Sequence, residues 1–158
     1  MAISDVLKLG PNITIFPVVH GSGDCALEVR RLMLEHRFDC LAVPLPPSFQ
    51  VEVESAVQWL PNVSVVLQRE PKASFSGSSE FSSSAEDSVE ETAEGNASYV
   101  PIDPCQPVIA GIRIAMQEHL RREFIDIEDE HYRPATAALP DPYALKQVAP
   151  ERFAAAVI

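Results

Sequence analysis

The turn His20-Gly21-Ser22-Gly23-Asp24 gathers residue types that can do chemistry. An imidazole at the end of a strand can ligate a metal or accept a proton, and carboxylates from neighbouring loops complete such a site. Asp24 lies in the turn itself, and Asp126 closes an apolar run far along the chain. His20 and Asp126 are the candidate catalytic residues, and His20, Asp24 and Asp126 the candidate ligands of a divalent metal. The same turn opens Gly21-Ser22-Gly23-Asp24-Cys25-Ala26, a G-x-G-x-x-A pattern between an expected strand and an expected helix. Amides at a helix N-terminus can hold an anion, which makes Gly21, Ser22 and Gly23 candidate cofactor-binding residues. Two features oppose a nucleotide: Asp24 places negative charge where a pyrophosphate would lie, and Pro44-Leu45 stand where a ribose-binding acid is expected. Plainer readings stand beside both, a Gly-rich tight turn and a His20 bonded to a backbone carbonyl. His131, next to Glu130, reads as a solvated loop residue, while His36 and His119 lie near helix C-termini, where the dipole favours a positive group.

The elements that would position these residues follow from the apolar pattern. Ile13 to Val19 is β-branched and apolar on both faces, as a buried strand reads, with Pro17 suggesting an edge or a strand end. A helix is expected from about Asp24 to His36, capped by Ser22 or Asp24. Cys40 to Val43 gives a second strand, Ser48 the cap of a second helix, and Val63 to Leu67 a third strand. Asp103-Pro104 reads as the start of a helix running to about Leu120, followed by a last strand from Glu123 to Ile127. Strands alternating with helices imply an α/β domain: a doubly wound, mainly parallel sheet of about four strands with helices on both faces. Ligands of such a sheet sit at the carboxyl ends of its strands, where the His20 turn, the Pro44 turn and Asp126 would meet.

The domain is expected in pieces. Residues 1–69 form its first half, 70–98 a disordered acidic insertion rich in Ser and Glu, and 99–130 its second half. Residues 131–158 form a Pro-rich connection and C-terminal helices, the last reading as truncated at Ile158. The insertion holds seven acids and one Lys, about half of a net charge of −11. So acidic a chain repels nucleic acid and anionic membrane, so neither is an expected partner. Three widely spaced cysteines, Cys25, Cys40 and Cys105, with no CxxC pair, read as reduced, buried thiols. With no signal-like N-terminus and no long apolar window, the expected location is cytoplasmic.

Ile15-Phe16-Pro17-Val18-Val19-His20-Gly21-Ser22-Gly23 resembles the Phe-Gly-x-Arg-His-His-Gly-Pro-Gly start of a bacterial family encoded beside MoxR-type ATPases. Cys40 to Pro47, Tyr99 to Ala115, Phe124-Ile125-Asp126, Asp141-Pro142 and Glu151-Arg152-Phe153 resemble its later landmarks in order. That family is similar to the erythromycin esterase-like, ChaN-like and TraB/Tiki-like group. The resemblance implies a domain in which a His after the first strand and a Glu after the second are site residues, some members being metal-dependent hydrolases. It also implies an AAA-type ATPase, or another protein, as partner. His20 and Asp126 match the pattern; the Glu does not, because Pro44 occupies its place. Two functions follow as expectations: a metal-dependent hydrolase with a degenerate site, or a non-catalytic binding or assembly module of the same fold.

Overall fold

The computed structural model describes residues 7–69, 97–127 and 138–157. Helices and strands are mixed, and a small parallel sheet is present, as in an α/β protein. The expected acidic insertion lies outside the described residues except for Ala97 and Ser98, which begin a strand. His131, Glu128 and Glu130 also lie outside them.

Helix α1, Gly23–Glu35, forms where the apolar spacing places it. Ser22 is its N-cap, with Oγ accepting the Cys25 amide at 3.2 Å. Cys25, Ala26 and Leu32 are its buried residues. On its outer face Arg31 donates to the carboxylates of both Glu28 and Glu35, one turn to either side. Strand β1, Cys40–Val43, follows, then a 3-10 turn at Pro47–Phe49 and helix α2, Gln50–Val57. Ser48 lies inside that turn rather than at the cap of α2; its hydroxyl meets Gln68 Oε1 at 2.9 Å. Strands β2, Ser64–Arg69, and β3, Ala97–Ile102, lead to helix α3, Pro107–Gln117, and strand β4, Arg121–Phe124. Asp103 does not cap α3: its Oδ1 accepts the Cys105 amide at 2.7 Å in a local turn, and the helix begins at Pro107. His119, at φ 55°, ends α3, and the Leu120 amide returns to Ala115 O at 2.8 Å, a Schellman closure. A second 3-10 turn, Pro142–Lys146, is capped by Asp141, and helix α4, Pro150–Val157, buries Phe153 and Ala154.

Two pairings organise the strands. β1 and β4 are parallel, with Val43 opposite Phe124, whereas β2 and β3 are antiparallel, with Val66 opposite Val100. The third expected strand thus exists, but its partner is β3, a segment the sequence did not mark as a strand. The first expected strand differs more. Between Ile13 and Val19 only Thr14 makes a bridge, to Lys8, and Ile13 and Ile15 are about half exposed. β-branched residues favour extended chain, but a ladder also needs a partner edge.

The core lies where α2 and α3 cover both pairs: Val43 and Phe124 from one, Val100 and Ile102 from the other, Phe49, Val53 and Val57 from the α2 region, Ile109 and Ile112 from α3. Gly111 marks the closest approach of α3 to its neighbours, since a Cβ there would meet Val29 at 3.5 Å and Leu41 at 3.6 Å. β1 alternates inward Leu41 and Val43 with outward Cys40 and Ala42, so Cys40 is exposed, as is Cys105. Only Cys25 is the buried thiol expected of all three. Across the core, Arg122 of β4 holds Glu54 of α2 at 2.9 Å while Gln50 donates to the same carboxylate at 3.0 Å. The Arg122 hydrogen bond is the main reason Glu54 titrates below the ordinary carboxylate range.

Candidate functional site

The His20 turn is held at both ends by the fold. Gly21 takes φ 74°, a left-handed conformation that glycine adopts without a Cβ penalty. Its amide donates to Gln106 Oε1 at 2.8 Å, tying the turn to the N-terminus of α3. The Ser22 amide closes back on Val19 O at 3.2 Å, and the Ser22 carbonyl accepts the Ala26 amide at 3.0 Å. Ser22 is itself buried, with its hydroxyl turned to the helix it caps. Gly23 begins α1, and no heavy atom lies within 4 Å of where its Cβ would be.

The three expected ligands occupy different surroundings. His20 is exposed at the tip of the turn. Asp24 is half-buried in the first turn of α1, and Lys146 Nζ approaches its Oδ1 at 3.3 Å. Asp126 lies just beyond β4, where the parallel ladder continues: the Ile125 amide donates to Val43 O at 3.0 Å and that of Asp126 to Leu45 O at 3.2 Å. Its Oδ1 accepts the Ile127 amide at 2.9 Å, and the side chain is exposed. Pro44 and Asp126 therefore share the carboxyl end of the parallel pair. The loop before α3, which holds Gly21 through Gln106, leads into a helix that packs on β1 and precedes β4 directly. Among the described residues no three His, Cys, Asp or Glu side chains form a group able to hold a metal ion.

Sequence reasoning missed Gln106 and Lys146. Neither has a motif around it: a glutamine before a proline and a lysine in a short turn acquire their roles from the turn they meet. The charged end of Lys146 also lies over the Tyr143 ring, 4.5 Å from its centre. Beside this cluster runs an open cleft of about 790 Å³, lined by one face of α1 from Gly23 to Leu34 and one face of α3 from Ala110 to Glu118. No helix among the described residues is long and apolar enough to cross a membrane. No family model, no curated protein and no solved structure matches the chain.

Proposed function

We propose that this chain is a non-catalytic binding module, built on the α/β fold that it shares by resemblance with the erythromycin esterase-like, ChaN-like and TraB/Tiki-like group. In this reading the β1–β4 pair belongs to a doubly wound, mainly parallel sheet of about four strands with helices on both faces. The protein works in a bacterial cytoplasm, and its partner is another protein, an AAA-type ATPase being the one the resemblance implies.

One observation carries the choice of binding over hydrolysis. Three polar groups of the turn are engaged by the chain itself, the Gly21 amide by Gln106, the Ser22 hydroxyl by the Cys25 amide and the Asp24 carboxylate by Lys146, while the His20 imidazole is exposed at the tip. A general base or metal site needs those groups directed at a reacting atom instead. Pro44, without an acidic side chain, stands where the resembled group has its glutamate.

Metal linkage tests the reading. A ligand that binds only the native state raises its stability with the logarithm of free concentration. Melting of the wild-type protein is expected to be indifferent to Mg²⁺ and Mn²⁺, and any response to Zn²⁺ is expected to persist in His20→Ala, because exposed Cys40 and Cys105 offer thiols of their own. His20→Ala leaves apo stability nearly unchanged, since His20 is exposed. A melting temperature that climbs with metal in wild type, is flat in His20→Ala and climbs more steeply in Pro44→Glu would establish the hydrolase reading in place of this one.

A further inference from the structure

The cleft beside the turn has the form of a trough between two helices. Gly23, Ala26, Leu27, Arg30 and Leu34 line it from α1, a set spaced by three or four residues that forms one stripe of a helix. Ala110, Arg113, Ile114 and Gln117 line it from α3 with the same spacing. The floor is apolar: Ala26 and Ile114 are buried, at 6 % and 8 % exposure. The rims are not. Leu27 and Leu34, seven residues apart on α1, are 66 % and 56 % exposed, and Tyr143 at one end is 63 % exposed.

The charges on this trough run against those of the molecule. The chain carries −11 overall, yet Arg30 stands on one rim and Arg113 on the other, and neither has an ion-pair partner among the described residues. The remaining charged groups of the lining are Asp24 and Lys146, which pair with each other, and Glu118 at the end of α3. Two arginines, one from each helix, beside exposed leucines form a surface that attracts a ligand with an apolar ridge and acidic flanks. From Gly23 to Leu34 the trough is roughly 17 Å long at the helical rise per residue, about three turns of helix. Its openness suits a peptide better than a small molecule, which binding pockets bury over most of its surface. Gly23, Ala26 and Ala110 in the lining leave room for a third helix to approach α1 and α3 at ordinary interaxial distance.

We propose that the α1–α3 trough docks an acidic amphipathic helix of a partner protein, with the partner's leucine-type residues between Leu27 and Leu34 and its carboxylates on Arg30 and Arg113. This rests on the binding-module reading and names its surface and partner chemistry. The mode is that of a helix laid in a groove, read through anchors at i, i+3 or i+4, and i+7.

The probe is a fluorescein-labelled peptide of about four turns, made of Leu, Glu and Ala with leucines at i, i+3, i+4 and i+7 and glutamates on either side. Its anisotropy is titrated with the full chain. Saturable binding is expected, weakened about tenfold or more by the pair Arg30→Glu and Arg113→Glu, by Leu27→Asp, and by raising salt from about 0.05 to 0.5 M. A peptide of the same composition in scrambled order, or with Lys for Glu, is expected not to bind. The substituted positions are exposed, and unchanged melting temperatures show that the variants fold. Failure of the probe to bind wild type, equal binding of the scrambled peptide, or undiminished binding to the folded arginine variants would each overturn the proposal. So would a dimer in sedimentation that Leu27→Asp dissociates, because the occupant would then be a second copy. None of these outcomes touches the metal-linkage result, so the docking surface and the binding-module reading fail separately.

Discussion

Gly21 and Gly23 look equivalent in the G-x-G pattern, and the structure separates them. Gly21 holds φ 74°, where an L-residue is strained, while Gly23 is the first residue of α1 with open space around its missing Cβ. Gly21→Ala is expected to cost about 1–2 kcal/mol in chemical denaturation. Gly23→Ala is expected to be neutral or to stabilise by up to about 1 kcal/mol, through reduced entropy of the unfolded chain. Equal losses at both positions would mean that Gly23 also needs its conformational freedom, as a phosphate-cradling loop would require. The pattern itself was legible in the sequence. Its meaning was not, because the glycine that holds the positive φ is tied to Gln106, 85 residues away.

At the scale of elements, the contact between α2 and β4 makes a pH-dependent contribution. Glu54 and Arg122 are each about one-fifth exposed, so their pairing is only partly screened by water. The Arg122 hydrogen bond holds the Glu54 pKa below its ordinary value in the folded protein. A depressed carboxyl pKa adds stability that is complete above the unfolded value and disappears as pH falls through the folded one. Glu54→Gln is therefore expected to lose roughly 1–2 kcal/mol in urea denaturation at pH 7. The gap to wild type should narrow once pH drops below the ordinary carboxylate range. A gap that stays constant into strong acid would show that packing of the side chain, and not its charge, joins α2 to β4. The amphipathic spacing of α1 and α3 predicted helices; which strand each helix would cover was open, since an apolar stripe states that a face is buried and not against what.

For the whole molecule, the three thiols report on the core. Cys25 is completely buried, whereas Cys40 and Cys105 are exposed. In native conditions two thiols per chain are expected to react quickly with an aromatic disulfide, and the third only as fast as the core opens. Its rate should rise with urea in parallel with global unfolding, and Ile112→Ala, in the core beneath the helix on which α1 packs, should raise it further. Three fast thiols would mean that α1 does not pack as described. Side-chain type and short-range spacing were enough to place α1, with its cap narrowed to Ser22 or Asp24, and the β1 and β2 runs. Long-range contacts set the rest: β1 joins β4 in parallel while β2 joins β3 antiparallel, Ile13 to Val19 forms a single bridge, and Cys40 faces outward. They alone brought Lys146 to Asp24 and set the arginines of α1 and α3 on one trough. The division has a physical cause. Caps and apolar periods are fixed by interactions a few residues long, whereas pairing partners and exposed faces depend on which distant segment offers a free hydrogen-bonding edge or an apolar surface of matching shape.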